Sequence, residues 1–229
     1  LDLTGKRIAV PSITFCGTAN AVICAGAIPV YADVGADGNI STGWLWDHRD
    51  KWDAVIPVHY AGNLCDMVSI RSTARERPII IDACHALGAT GLMKDADAVC
   101  FSFHPAKQIT TGEGGAVLTN DAGTDYKLRS LRHNGIVSRY DASSIRQNAW
   151  IAPSLNFWMS DVQAKIGCEQ LSGVQSRKWE RQNLAREYLH SMPTWTRPLL
   201  PVNFSNHALC MFPVLLAPDF PIPRYALMT

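Results

Sequence analysis

The hydrophobic positions fall into short apolar runs, each followed by a stretch of helical or turn character. Ile8-Ala9-Val10-Pro11 reads as a strand end, and the small residues from Gly17 to Ala25 as a helix. Ile28 to Asp33 and Ala54 to His59 predict a second and a third strand, with a helix from Met67 to about Arg75. Pro78-Ile79-Ile80-Ile81-Asp82 is apolar without a break until its last residue, the pattern of a central strand covered on both faces. Ala98 to Phe103 is the fifth run. Gly115 to Thr119 follows it too closely for a crossover helix to intervene, so this sixth strand is predicted antiparallel to its neighbour. The alternation predicts an α/β fold, a mostly parallel, mixed sheet with helices on both faces.

Beyond Asp121 the pattern turns helical. Tyr126 to Arg132 predicts a helix, Gly135 to Asn156 a loop, and two amphipathic helices run from about Ser160 to Gln170 and from about Gln175 to His190. Pro193 to Pro201 is punctuated by proline, and Leu209 to Leu216 predicts a strand opening a second unit. The expected organisation is a large domain over residues 1–192 and the start of a small one over 193–229. Leu1 is no initiator methionine, and Arg224 to Thr229 break off as a helix begins, so the chain reads as a fragment truncated at both ends.

Composition narrows the partners. A chain of 229 residues that is 47% hydrophobic can bury a full core, and a net charge of +1 gives no electrostatic footprint for nucleic acid or an anionic membrane. Small molecules are the expected ligands. The seven cysteines stand singly, in odd number and without a CxxC pair, which points away from zinc and toward buried thiols in a reducing compartment. No run is long enough to span a bilayer, and no signal peptide is visible. A soluble, cytoplasmic protein without a metal site is the expectation.

Against that background, one pairing carries chemistry. Lys107 lies in a tight loop after the fifth strand, and Asp82 ends the fourth. In an open α/β sheet ligands collect at the carboxyl ends of strands, so one site can hold both. A lysine amine can form a Schiff base with an aldehyde cofactor, and a carboxylate can keep a pyridine nitrogen protonated; together they are what pyridoxal phosphate chemistry needs. Separately each has a plainer explanation, Asp82 as a helix cap and Lys107 as a solvated cation. Ser102 alternates with Phe101 and Phe103, so its hydroxyl can be aimed at a phosphate, or it can be a core serine. His85 could lie on a flat ring or cap a helix, and Phe15 could be core or a second stacking surface. Gly112-Glu113-Gly114-Gly115 lacks the spacing and context of a dinucleotide motif, and a turn explains it.

The blocks Pro11-Ser12-Ile13-Thr14-Phe15, Thr18-Ala19-Asn20-Ala21, Val58-His59-Tyr60-Ala61-Gly62, Asp82 to Ala89, Phe101 to Gly115 and Asn156 to Ala164 resemble, in order and spacing, the DegT/StrS-type nucleotide-sugar aminotransferases. The resemblance covers nearly the whole chain. It implies a fold type I pyridoxal phosphate enzyme, similar to aspartate aminotransferases, acting as a homodimer with shared active sites. It further implies that Lys107 forms the Schiff base, Asp82 pairs with the pyridine nitrogen, His85 and Phe15 sandwich the ring, Ser102 holds the phosphate, and Asn156 reaches the partner subunit's cofactor phosphate. The implied substrates are an amino acid, glutamate in most of the family, and a nucleotide sugar. The blocks around Asp82 and Lys107 look most like the branch that aminates C4 of a UDP-linked 4-keto-6-deoxy-N-acetylhexosamine on the route to pseudaminic acid. Two other readings stand beside it: a related sugar dehydratase, against which Lys107 argues because that branch carries histidine there, and a catalytically silent fragment with a binding role. Trp158 stands where the family pattern has arginine.

Overall fold

A computed structural model describes residues 3–140, 146–199, 204–218 and 220. Strand β1 (Arg7–Pro11) lies between β2 (Ile28–Ala32) and β3 (Ala54–Val55), parallel to both. Strand β4 (Ile80–Asp82) runs parallel to β5 (Ala98–Ser102), and β6 (Gly115–Leu118) returns antiparallel against β5, as the short connection requires. Parallel bridges Val55 to Ile79 and Val58 to Asp82 join the two triplets in the order β2-β1-β3-β4-β5-β6. The third strand is shorter than its apolar run predicts. Pro57 has no N–H to give to the ladder, so beyond Val55 the pairing survives only as isolated bonds such as Asp82 N–H to the Pro57 carbonyl at 2.9 Å.

Alternation along the strands divides the side chains between two layers. Ala9, Val55, Ile79, Ile81, Val99 and Phe101 face a core closed by Leu45 of α2 (Thr42–Asp47), Trp52, and Ile70 and Ala74 of α3 (Met67–Ala74). Ile8, Val10 and Ala54 face the other way, onto Val22 of α1 (Cys16–Cys24) and Ala27. Asp82, Cys100 and Ser102 sit on this second face by the same period of two, at or near the strands' carboxyl ends.

Helix α4 (Ala122–Leu131) starts earlier than the predicted Tyr126 because the Asp121 carboxylate accepts the Thr124 N–H and caps it. The predicted loop from Gly135 to Asn156 contains an antiparallel hairpin, β7 (Ile136–Tyr140) and β8 (Arg146–Trp150). Its strands carry Ser138, Arg139, Gln147 and Asn148 with no clean apolar alternation, which hid them. Helix α5 (Asp161–Ser172) opens on a Ser160/Gln163 capping box, and α6 (Val174–Ser191) follows directly. Their predicted apolar faces are only slightly used: α5 buries none of its residues, and Val162 and Trp179 stay exposed because no further layer of the described residues covers them.

At the end, β9 (Thr196–Pro198) pairs antiparallel with β10 (Val214–Leu216). The predicted strand from Leu209 is regular only from Val214. Leu209, at φ 48, leaves extended geometry and packs with Phe204 against Ala61 and Ala185. The helix predicted to begin near Arg224 lies outside the described residues. The cysteines depart from the expectation of burial: Cys16, Cys24 and Cys168 are exposed, since their positions fall on outer helix faces, while Cys65 and Cys210 are buried. No helix of the described residues is long and apolar enough to cross a membrane.

Candidate active site

The second face of the sheet carries a cavity of about 730 Å³, and Asp82, His85, Ser102, Lys107, Phe15 and Glu113 all contribute to its wall. The apolar remainder comes from the sheet and α1, including Ile8, Val22, Ile56 and Ile80. Five of the six predicted site residues therefore meet in one cavity.

Asp82 is held from two sides. The Thr18 hydroxyl donates to its Oδ2 at 2.8 Å, and the Cys84 N–H donates to Oδ1 at 3.1 Å. Because Thr18 gives its only proton to Asp82, Thr14 donates at 2.7 Å to Thr18, so a two-hydroxyl chain fixes the carboxylate. Thr18 is 7% exposed in an otherwise small, apolar helix. Its role is not visible in the sequence, where the one signal is a hydroxyl in a small-residue helix, seven positions after β1 ends. Burial and the neighbouring Asp82 charge push the Cys100 thiol up to about 11, and Cys84 higher still, so both thiols stay protonated at neutral pH.

Lys107 is half-buried on a turn in which its N–H donates to the His104 carbonyl at 3.0 Å. The next residue ties this loop to that of Asp82: Gln108 Nε2 donates to the His85 carbonyl at 2.6 Å. The last two long helices brace both loops. Gln170 of α5 accepts the Thr110 N–H at 3.0 Å, Arg177 of α6 donates to the Gln108 carbonyl at 3.2 Å, and Gln175 and Lys178 each reach the Gly88 carbonyl at 3.2 Å. The relative placement of Asp82 and Lys107 is thus set by residues up to ninety positions later in the chain.

His85 has its pKa lowered to about 4, first by burial and then by the Lys107 charge, so its imidazole is neutral. Its Nδ1 is buried without a hydrogen-bond partner among the described residues. Phe15 stands immediately before α1, without a side-chain capping bond, and is 74% exposed at the cavity wall. Ser102 Oγ accepts the His104 N–H at 3.3 Å and keeps its own proton to give. Phe101 and Phe103 turn into or against the opposite core, as the alternation predicts.

Asn156 is the exception. It is exposed, bridges antiparallel to His133, and its Oδ1 accepts the Trp158 N–H at 3.0 Å; it does not line the cavity of its own chain. At the position where arginine is expected, the Trp158 indole N–H donates to His133 Nδ1, and the Arg132 guanidinium stands 5.0 Å over the ring.

His59, whose N–H donates to the Asp82 carbonyl at 3.0 Å, is 1% exposed and its Nδ1 accepts the Cys65 N–H at 3.2 Å; burial holds its pKa at about 4, against a smaller upward pull from Asp82. Between pH 6.5 and 4 the unfolded chain takes a proton at this residue that the folded chain refuses, so stability falls with pH across that window. The separation corresponds to about 3 kcal/mol when fully expressed. His59→Gln is expected to lose less stability than the parent between pH 7 and 4.5 in urea titrations, with His85 and His207, also held at about 4, supplying what dependence remains. Equal acid sensitivity in both proteins would remove His59 from this account.

The match to known proteins follows the same blocks. Residues 1–229 match the DegT/DnrJ/EryC1/StrS aminotransferase family model from end to end. The chain belongs to that family. It is 31% identical over 233 residues to a UDP-4-amino-4,6-dideoxy-N-acetyl-beta-L-altrosamine transaminase of Campylobacter jejuni, covering 96% of this chain and 61% of that protein. It is 32% identical to an uncharacterized protein of Methanocaldococcus jannaschii, covering 90% and 57%. Among solved structures, Helicobacter pylori PseC, described as an aminotransferase of pseudoaminic acid biosynthesis, superposes with a TM-score of 0.84 at 28% identity, over 96% of this chain and 61% of that one. The family chain thus spans about three-fifths of the length of these relatives.

Proposed function

We propose that the protein transfers an amino group from an amino acid, glutamate in the first instance, to a keto carbon of a nucleotide-linked deoxy sugar, C4 being the expected position, with pyridoxal phosphate as cofactor. The residues present fit that cofactor. A fixed carboxylate, a neutral flat imidazole with a buried unpaired nitrogen, a serine hydroxyl free to donate and a lysine amine line one cavity. When bound, pyridoxal phosphate supplies an aldehyde that carries the amino group and a ring that withdraws electrons.

The single observation that carries the reading is the placement of Asp82 and Lys107 on one cavity wall, with the two loops locked through Gln108 and His85. Asp82, oriented by Thr18 and Cys84, holds a proton on the pyridine nitrogen, and its negative charge keeps that proton in place. Lys107 would hold the cofactor through its aldehyde, and its free amine would take a proton from the donor's α-carbon and return it on the cofactor side. In the second half the same amine moves the proton the opposite way. His85 and Phe15, on the cavity wall, would bound the faces of the ring, and Ser102 would donate to the phosphate.

The Campylobacter jejuni relative is named for a UDP-linked amino sugar and the Helicobacter pylori one for pseudoaminic acid biosynthesis, which supports the substrate class and a place in cell-surface sugar synthesis on a pseudaminic acid route. The exposed Asn156, outside its own cavity, supports a homodimer in which it completes the partner subunit's phosphate site. A cytoplasmic location and a boundary near residue 192, with β9 and β10 pairing with each other and with no other strand among the described residues, complete the proposal. The dehydratase reading lacks its histidine, since Lys107 occupies that position. Borohydride reduction of the protein incubated with pyridoxal phosphate, followed by peptide mapping, is expected to place the pyridoxyl adduct on Lys107; an adduct spread over several lysines, or none, would sink the assignment.

A further inference from the structure

The cavity wall includes two carboxylates, and only one has a use so far. Asp82 has both oxygens engaged by Thr18 and Cys84. Glu113 is exposed, and among the described residues its carboxylate accepts no hydrogen bond and pairs with no cation.

Everything around Glu113 is dictated by the fold. Gly114, at φ +155, would bring a Cβ to 2.5 Å from Thr111 Oγ1 and 2.8 Å from Met159 Cε, and a Cβ on Gly115 would stand 2.6 Å from the Phe101 carbonyl oxygen. The Glu113 carbonyl is clamped by the Thr111 hydroxyl at 2.7 Å and by Gln163 Nε2 at 3.0 Å. Any residue would keep those two bonds. The backbone is therefore rigid at this point while the side chain contributes nothing to holding it, so the carboxylate is presented on the cavity wall with its acceptor oxygens free.

We infer that Glu113 selects the sugar substrate, its carboxylate accepting hydrogen bonds from hydroxyl groups of the sugar ring near the keto carbon. The inference rests on the aminotransferase reading above and deepens it. An ionised carboxylate only accepts hydrogen bonds, and it repels anions. That excludes three of the groups the site must hold: the cofactor phosphate, the nucleotide diphosphate and the carboxylates of an amino donor such as glutamate. Glu113 lines the same cavity as Lys107, and beside the keto carbon that must react there the neutral donors are the hydroxyl groups of the sugar ring. Hydrogen bonds from neutral hydroxyls to a charged acceptor are strong enough to separate substrates by about tenfold to a hundredfold.

The two halves of the reaction report on this separately. The cofactor's absorbance change on adding glutamate measures the donor half, and its reversal on adding a UDP-linked 4-keto-6-deoxy-N-acetylhexosamine measures the sugar half. Glu113→Ala is expected to leave the donor half within twofold and to lower kcat/KM of the sugar half by about tenfold to a hundredfold. Glu113→Gln, which keeps one acceptor oxygen, is expected to fall between. Calorimetric titration with the UDP-linked amino sugar, which needs no turnover, is expected to show Kd weakened by the same factor, with thermal midpoints unchanged in both variants. Equal loss in both halves, loss in the donor half alone, or no change in either overturns the assignment. Failure of the unsubstituted protein to perform either half overturns the aminotransferase reading, and the Glu113 assignment with it.

Discussion

Lys107→Ala is expected to lower turnover by on the order of 10⁴-fold, the full range associated with a positioned proton-transfer group, while leaving the fold intact. Two observations set that contrast. The Lys107 amine makes no hydrogen bond and no ion pair among the described residues, and the turn is held by its backbone through the His104 carbonyl. Removing the amine therefore costs little stability; it also lifts one of the causes that depress His85, whose pKa is expected to rise from about 4 without reaching its ordinary 6.5, because burial is the larger cause. Steady-state rates with glutamate and a 4-keto nucleotide sugar, thermal unfolding, and the His85 titration followed by NMR give three independent readouts. Retained turnover with an unshifted His85 would place Lys107 away from the reacting centre.

Much of this site was legible in the sequence because its parts are local. An apolar run ending in Asp82 and another ending near Ser102 predict strands whose ends meet, and the short link from Lys107 to Gly115 predicts the antiparallel return of β6. What escaped was long-range or carried by single polar atoms. Thr18 supports Asp82 from 64 positions away, and a threonine in a small-residue helix has no periodic signature. The bracing of the lysine loop by Gln170 and Arg177 is equally silent, since glutamine and arginine on a helix read as solvated surface. The hairpin of β7 and β8 was missed because polar strands give no alternation, and the third strand was overcalled because apolar content outweighed the missing N–H of Pro57.

The same division explains why sequence blocks identified the family while the geometry was needed for Glu113. A motif such as Gly-Glu-Gly-Gly is indistinguishable from a turn until the clamped carbonyl and the crowded glycines separate the residues that make the turn from the one that does not.

Asp82→Asn isolates charge from shape. The amide matches the carboxylate in size and can still accept the Thr18 hydroxyl, but its NH₂ would then face the Cys84 N–H, so one partly buried hydrogen bond is lost at a cost of about 1 kcal/mol. In the proposed role Asp82 keeps the cofactor's ring nitrogen protonated, so without the negative charge turnover is expected to fall by about 10²- to 10³-fold, the range for removing one preorganised electrostatic group. A second consequence needs no cofactor. Cys100 is held at about 11 by burial first and by the Asp82 charge second; neutralising that charge is expected to lower its pKa part of the way toward the ordinary 9.0. The thiolate fraction at a given pH between those values then rises, so alkylation of Cys100 by iodoacetamide, followed by mass spectrometry of its peptide, is expected to accelerate in the variant. A slower or unchanged rate, together with normal turnover, would mean that Asp82 is not the charge that governs this cavity.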